Sequence, residues 1–338
     1  VKVDNYNNRL TYKMYASTTE MFSGIKGNYR DVQSTMASTY ADVIATVNKT
    51  IDDWSINVNV GASINDTQYE SIGYDGGLKI PNFFAVHNID IERGWKSKQD
   101  GWHDQAQAVF ANAEIGWKSI LFLTVTGRND WESQLAYSDY KCFFYPSVGL
   151  SVVLSEIIPN MPENLEYIKL RGSYASVGTA FERYIANPMY QWNSSGLSWN
   201  TQTQYPMYDL KPELTNSFEV GLTVRFLKWF NLDATYYHTN TLNQTFNPQI
   251  STGSGSSEIY IQSGDVLNQG CEFTLGFNKD WNKFNWSSTY TFSTNMNRIE
   301  SLAENVLNAA TGEYFSVDLL DMNGLGLAHF LLMEGGTL

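Results

Sequence analysis

The stretch "NSFEVGLTVRFLKWFNLDATYYHT", residues 216–239, alternates between two chemistries. Every second residue from position 218 to position 226 is apolar. The residues between them are polar or small, and two of these, Glu219 and Arg225, are charged. After Lys228-Trp229 the alternation resumes over residues 232–237. A period of two is typical of β-strands whose two faces meet different surroundings. The stretch therefore predicts a β-hairpin with one apolar face and one polar face.

The same alternation recurs along the whole chain and predicts roughly eleven strands. Many of them span about 10 to 14 residues, whereas strands of soluble proteins are usually about 5 to 6 residues long. The clearest further examples are residues 54–65, 109–125, 148–154, 168–173, 271–278 and 284–293. Strands of this length suit a hydrocarbon layer, which about 9 to 11 tilted strand residues can cross.

The predicted connections alternate between long and short. The long or medium ones are residues 22–38, 67–104, 131–142, 179–214, 247–264 and the stretch from residue 300, and the short ones are 48–53, 117–119, 157–166, 227–229 and 279–283. This order places all short turns at one end of a sheet, as in up-and-down membrane barrels with short periplasmic turns and long extracellular loops.

Aromatic residues mark both ends of the predicted strands. Five tryptophans lie beside the short turns, and several tyrosines lie in the strands, mostly toward the long loops: Trp54, Trp117, Trp229, Trp281 and Trp286, then Tyr145, Tyr174, Tyr236 and Tyr290. Two aromatic belts are typical of the boundaries between a barrel's apolar band and water. We therefore predict an all-β, antiparallel, up-and-down transmembrane β-barrel.

The composition and the length of the strands argue against several other classes of protein. The 338 residues carry a net charge of −13, which argues against nucleic acid as a partner. No window of 18 apolar residues predicts a membrane helix. The two cysteines, Cys142 and Cys271, are too few for a disulfide framework. A soluble β-sandwich also alternates, but its strands are shorter and its Greek-key loops do not alternate strictly in length.

Five segments of the chain carry a family resemblance. They read "TGRNDW" at 126–131, "FYPSVGLSVVLSE" at 144–156, "IKLRGSYASVG" at 168–178, "LKPELTNSFEVGL" at 210–222 and "GDVLNQGCEFTLGF" at 264–277. In sequence, order and spacing they resemble the SusC/RagA family of TonB-dependent outer-membrane transporters. The resemblance is strong over residues 105–300 and weaker before them. Where that family more often has Gly-Val-Glu, this chain has Gly270-Cys271-Glu272.

The resemblance implies a barrel of the plugged, 22-stranded kind, which would import a nutrient too large for porins. It also implies an N-terminal plug, a TonB box through which TonB acts, and a SusD-like surface lipoprotein as a lid. On this interpretation residues 1–338 are about half of the barrel domain in the outer membrane. The plug, the TonB box and the C-terminal strands would lie outside this chain.

Charged residues of the polar strand faces are candidates for the barrel interior. They are Lys169, Arg171, Glu219, Arg225 and Glu272. They could line a transport path, or they could form salt bridges with a plug, which is the interpretation we favour. Arg128 and Asp130 in "GRNDW" predict a charge pair where a strand turns into an outer loop.

The long connection at 179–214 holds aromatic residues among amides and hydroxyls, and these are the candidate ligand contacts: Tyr190, Trp192, Trp199, Tyr205 and Tyr208. Aromatic faces stack on sugar rings, and amides hydrogen-bond their hydroxyls. The same residues could instead pack against a lid lipoprotein. An oligosaccharide or a peptide is the expected ligand class.

No motif in the sequence indicates an enzyme, a metal site or a cofactor. The four histidines form no HExxH, and there is no CxxC pair, GxSxG or Walker loop. The function that the resemblance implies is active import. The alternatives are a passive porin, the barrel anchor of a surface adhesin, or a soluble β-rich carbohydrate-binding protein.

Overall fold

The computed structural model describes residues 1–16, 25–92, 96–186, 192–193, 198–199, 211–247, 260–307, 314–321 and 331–337. These residues form strands joined by turns and loops, with single 3-10 turns at Val86–Asn88, Ser133–Leu135 and Leu154–Glu156. The strands are β1 Lys2–Met14, β2 Asn28–Ile51, β3 Trp54–Gly77, β4 Lys96–Trp117, β5 Leu121–Glu132, β6 Phe143–Val153, β7 Leu165–Thr179, β8 Trp192–Asn193, β9 Ser198–Trp199, β10 Glu213–Phe226, β11 Phe230–Phe246, β12 Ile261–Trp281, β13 Phe284–Ser301, β14 Ala303–Leu307, β15 Tyr314–Val317, β16 Leu319–Asp321 and β17 Leu331–Met333. No helix among the described residues is long and apolar enough to cross a bilayer.

Eleven of these strands form one sheet in the order β1-β2-β3-β4-β5-β6-β7-β10-β11-β12-β13. Sheet neighbours follow one another along the chain, except that the small β8–β9 hairpin lies between β7 and β10. The registers from β5 to β13 are all antiparallel. The predicted all-β class, the up-and-down order and the number of strands are therefore confirmed.

The register gives the sheet two chemically different faces from β7 to β13. One cross-strand row, on the apolar face, runs Leu170, Leu222, Ala234, Phe273 and Phe292. The neighbouring row, on the polar face, runs Arg171, Gly221, Thr235, Glu272 and Ser293. Because successive strand residues point to opposite sides, the two rows carry opposite chemistry at the same height. We refer below to these two sides as the apolar face and the polar face.

The short turns are tight because several of their residues adopt left-handed backbone conformations. Positive φ angles occur at Asp52, Lys118, Ser119, Leu227, Lys228 and Asn282. Such angles match the twist of a two-stranded turn, although they are strained for residues with a Cβ. The predicted positions of the short turns are correct, but some strands run closer to the turns than predicted, as β12 does by reaching Trp281.

Two of the predicted long loops are shorter than expected. β2 already begins at Asn28. β3 continues to Gly77, and β4 begins at Lys96. These extensions pair through charged side chains, such as Arg9 with Asp31 and Arg30 with Asp75, at 2.6 and 2.7 Å. Because their alternation is not between apolar and polar residues, the sequence pattern did not mark them as strands.

The chain divides into two compact units. The first comprises Val1–Asp42, Ser63–Gln107 and Pro188–Gln202. It holds a small core of Tyr29, Leu78 and Ile89. The Asn88 amide fixes the adjoining loop, because it accepts from the Ile80 N–H and donates to the carbonyls of Ile80 and Phe83.

The second unit comprises Val43–Ala62, Ala108–Asn187 and Thr203–Leu338. Its two buried apolar clusters are formed by Leu135, Phe181, Ile185 and Ala186, and by Phe246, Ile299, Leu302 and Leu320. Both clusters lie where strands join the long connections. The middle of the sheet contributes little to them, so its large apolar side chains remain available to another environment.

Candidate functional site

The apolar face carries an apolar band. At each end of the band, aromatic residues contact polar side chains. Toward the long loops, the Tyr174 hydroxyl donates to Asn216 Oδ1 at 3.1 Å, and the Tyr236 hydroxyl donates to Gln269 Oε1 at 3.3 Å. Toward the short turns, Lys279 Nζ lies 3.3 Å from the centre of the Trp229 ring. The band has the order that a membrane-facing barrel wall requires.

The height of this band fits a bilayer. On β12 it runs from Cys271 to Trp281, and ten steps of an antiparallel strand cover about 34 Å. At a tilt of about 40° this corresponds to about 26 Å, close to the apolar band of about 25 Å found on outer-membrane barrels. Cys271 lies on the apolar face, opposite Tyr236 and Thr294.

The polar face is organised around Arg171, which spans three strands. From β7 it reaches Asp233 on β11 through two parallel bonds, Nη1 to Oδ2 at 3.0 Å and Nη2 to Oδ1 at 2.9 Å. The same nitrogens donate to the Thr223 and Thr235 hydroxyls, and Thr223 Oγ1 donates to Asp233 Oδ2 at 2.7 Å. A bidentate pair fixes both orientation and distance, so this network staples β7, β10 and β11 together.

Arg171 can cross β10 because Gly221 lies beneath it. A Cβ at Gly221 would come within 2.4 Å of the Arg171 Cζ and Nε atoms. A second long side chain crosses a glycine one layer nearer the long loops. Tyr237 on β11 crosses Gly270 on β12 and donates to Asn295 Oδ1 on β13 at 3.0 Å. A Cβ at Gly270 would meet the Tyr237 hydroxyl at 2.6 Å and the Thr294 carbonyl oxygen at 2.0 Å. Glycine is needed at both positions for the long side chain to lie flat.

An open cavity of about 230 Å³ adjoins this network on the polar face. Lys169, Arg171 and Glu219 contribute to its wall, together with the small polar side chains Thr124, Ser151 and Ser173. Arg171 is committed to Asp233, whereas Lys169 and Glu219 form no salt bridge or hydrogen bond with the described residues. Glu219 lies near enough to Arg171 for their charges to interact. Among the residues that the structure describes, the cavity wall therefore has one cation and one anion without a direct salt-bridge partner.

The structure brings three of the five predicted interior charges together and leaves two apart. Arg225 lies near the short turn, with its guanidinium carbon 5.2 Å from the centre of the Tyr167 ring. Glu272 lies opposite Thr235 and Ser293 and is exposed, away from the cavity. All five share the polar face, and their location inside a closed barrel remains a prediction.

The predicted aromatic ligand contacts fall mostly outside the described residues. Tyr190, Tyr205 and Tyr208 lie there entirely. Trp192 pairs by its backbone with Trp199 in the β8–β9 hairpin, and the Trp199 side chain is 64% exposed. Contact of these five residues with a sugar, a peptide or a lipoprotein stays a prediction.

The predicted charge pair at the end of β5 is confirmed. Arg128 Nε donates to Asp130 Oδ1 at 2.7 Å, and Asp130 is buried. Tyr145 donates its hydroxyl to the same carboxylate. Tyr145 is therefore on the polar face, so its predicted place in an aromatic belt is wrong. Its neighbours Phe144 and Pro146 occupy the apolar side of the alternation instead.

Sequence reasoning missed Asp233, although a signal for its pairing with Thr223 was present. In a hairpin centred on Lys228, residues 223 and 233 are equidistant from the turn and must face each other. The approach of Arg171 could not be found in this way, because a long connection separates β7 from β10. Among the described residues, no group of three or more His, Cys, Asp or Glu is placed to hold a metal ion.

Comparison with known sequences gives a consistent result. Residues 2–334 match the family described as "TonB dependent receptor-like, beta-barrel". The TonB-dependent receptor P26 of Formosa agariphila is 28% identical over 211 residues, which are 59% of this chain and 21% of that protein. The TonB-dependent receptor P39 of the same organism is 25% identical over 89% of this chain and 30% of its own length. The chain thus spans less than a third of each of these relatives.

Comparison with solved structures supports the same fold. A chain in the structure of the RagAB peptide transporter matches 98% of this chain with a TM-score of 0.80 and 16% identity, and the match covers 36% of that chain. The outer-membrane transporter YddB of Escherichia coli matches 99% of this chain with a TM-score of 0.55 and 12% identity, over 43% of its own length. These similarities concern the fold, and they agree with the predicted partial barrel.

Proposed function

Because the chain belongs to the TonB-dependent receptor-like β-barrel family, we propose that it forms part of the wall of an importer driven through TonB. Proteins of this family lie in the outer membrane, and the predicted localisation is confirmed. The observation that carries the proposal is the two-faced wall, with an apolar band on one side and a charged network on the other. A nutrient importer needs both, since lipid covers its outside and polar cargo passes its inside.

The rest of the barrel and the plug belong to sequence outside residues 1–338 in this proposal. The chain covers 36% of the matched RagAB chain and 21% of receptor P26, which leaves room for both. Lys169 and Glu219 are the side chains that a plug would pair with, because their charges have no direct salt-bridge partner among the described residues. Burial of an unpaired charge is costly, so a plug packed on this wall would carry complementary charges there.

A SusD-like lipoprotein and an oligosaccharide or peptide ligand complete the proposal. The RagAB structure is described as a peptide transporter, and its fold similarity to this chain favours a peptide as much as a glycan. The aromatic residues of the connection at 179–214, with Trp199 exposed, are the proposed contacts for the ligand or the lipoprotein.

Purification of the complete receptor in mild detergent tests partner and cargo together. We expect a surface lipoprotein to co-purify, and the ligand to be identified by mass spectrometry of the complex. A receptor that partitions into aqueous buffer without detergent would contradict the membrane assignment altogether.

Uptake of the identified ligand tests the energy source. We expect uptake to be abolished when TonB is deleted, with the receptor still present in the outer membrane. Uptake that persists without TonB would indicate a passive porin, and a surface-exposed receptor without uptake would indicate the anchor of an adhesin.

A further inference from the structure

One lysine lies on the apolar face at the end marked by the short turns. Lys279 is on β12, two positions before Trp281, and faces Trp286 across the pair with β13. Its Nζ lies 3.3 Å from the centre of the Trp229 ring and 5.0 Å from that of Trp281. The two indoles come from β12 and from the turn before β11, so the ammonium is held between two elements of the sheet.

Among the described residues, this ammonium has ring faces as neighbours but no hydrogen-bond acceptor. Neither a carboxylate nor a carbonyl of the described residues accepts a hydrogen bond from Lys279, although an ammonium has three donors. Cation–π contacts orient the charge without satisfying those donors. A lysine on a lipid-facing wall is costly at the centre of a bilayer and favourable only where its head reaches the interface.

The carboxylates nearest to Lys279 lie on the polar face. The nearest acid along the strand, Asp280, points to the other face, where it accepts a hydrogen bond from Asn285. Asp233 also belongs to the other face, within the Arg171 network. The apolar side of this corner therefore offers the Lys279 ammonium and two ring faces to an anion with acyl chains.

We propose that Lys279, Trp229 and Trp281 bind the headgroup phosphate of a phospholipid in the periplasmic leaflet of the outer membrane. Short turns face the periplasm in barrels of this kind, so the lysine lies at the level of that leaflet. The phosphate oxygens accept the ammonium donors, and the acyl chains lie along the apolar rows of β11 and β12. The inference rests on the membrane placement of the sheet and is independent of any transported ligand.

Native mass spectrometry of the complete, delipidated receptor in detergent tests the site. The probe is dioleoyl phosphatidylglycerol, titrated against wild type, Lys279→Met and Lys283→Met. Methionine keeps an unbranched side chain of similar length without charge, and Lys283 provides a matched turn lysine without ring contacts among the described residues. Lys279→Arg serves as the conservative variant, and gel mobility before and after heating shows that each variant is folded.

We expect Lys279→Met to weaken phosphatidylglycerol binding about tenfold, the loss of one charge-assisted contact of about 1.4 kcal/mol. Lys283→Met should leave binding unchanged, and Lys279→Arg should restore most of it. Dioleoylglycerol, which lacks the phosphate, should bind weakly, and millimolar inorganic phosphate should not compete. Equal phosphatidylglycerol binding by wild type and folded Lys279→Met, or equal binding of dioleoylglycerol, would overturn the proposal. Displacement by free phosphate would also overturn it, because a headgroup site needs the acyl chains.

Discussion

The two faces of the sheet from β7 to β13 share every backbone hydrogen bond but differ in how they are held. The apolar face consists of side chains that touch mainly their neighbours, and many of its large residues are more than a third exposed, including Phe273 and Phe292. The polar face is built from defined hydrogen bonds that cross strands, as from Arg171 to Asp233. The apolar face is specified mainly by hydrophobicity, whereas the polar face is specified by the geometry of its hydrogen bonds.

This difference predicts different tolerance to substitution. A surface that meets acyl chains accepts any apolar side chain and rejects charge. A network of directed bonds accepts charge where there is room, but it rejects small changes of shape beneath its bridging side chains. The predictions that follow test these two statements, from the largest expected effect to the smallest.

Tyr290→Arg and Thr289→Arg compare the faces directly, because the two residues are adjacent on β13 and both are exposed. Tyr290 lies opposite Leu275, near the middle of the apolar band. A charge on the lipid side costs about 2 to 4 kcal/mol near the bilayer centre, so Tyr290→Arg should sharply reduce the folded receptor in membranes. Thr289→Arg should assemble nearly as well as wild type. Equal assembly of both variants, judged by heat-modifiable gel mobility, would refute the face assignment.

Gly221→Ala and Gly276→Ala test the bridging side chain on the polar face. A Cβ at Gly221 would force Arg171 away from Asp233, whereas at Gly276 its nearest neighbour is the Asn231 carbonyl oxygen at 3.7 Å. We expect a loss of about 1 to 3 kcal/mol in the free energy of unfolding for Gly221→Ala, the usual range for overpacking. Gly276→Ala should change it little. Urea unfolding of the purified receptor measures both, and equal losses would mean that Arg171 does not depend on the glycine.

Arg171→Ala, Asp233→Ala and the double variant measure how strongly the polar network holds β7 to β11. Each single change leaves a charge without its partner, so the double variant should be less unstable than the sum of the singles. We expect a coupling of about 1 to 2 kcal/mol, within the range for residues that share one network. Unfolding in urea provides the three free energies, and strictly additive losses would show that the pair contributes orientation but no stability.

Tyr237→Phe should have the smallest effect of the series. It removes the hydroxyl that donates to Asn295 and leaves the ring over Gly270, so the expected loss is about 1 kcal/mol for one hydrogen bond. Tyr290→Phe on the apolar face of β13 is the control, because that side chain is 66% exposed and should be neutral. A larger loss at Tyr290 than at Tyr237 would reverse the contrast between the faces.

The sequence determined the strands, the short turns and the chemistry of each face. Alternation with a period of two indicates a strand with two unlike faces, wherever that strand lies in the fold. The strands β10 and β11 and the turn at Leu227 could therefore be found without coordinates. Hairpin symmetry about Lys228 also contained the pairing of Thr223 with Asp233, which the sequence analysis missed. The strand extensions beyond Asn28 and up to Gly77 escaped this reasoning, because charged pairs rather than apolar residues hold them.

The tertiary structure alone decided which residues meet across long connections. Arg171 reaches Asp233 because β7 pairs with β10 in a register that no local turn fixes, and Gly221 lies between them. The same holds for Lys279, whose second indole, Trp229, belongs to a different hairpin of the chain. The local alternation of residue types indicates whether a side chain faces an apolar or a polar environment. The register of the strands determines which residues that side chain contacts, and the register follows from the packing of the whole sheet.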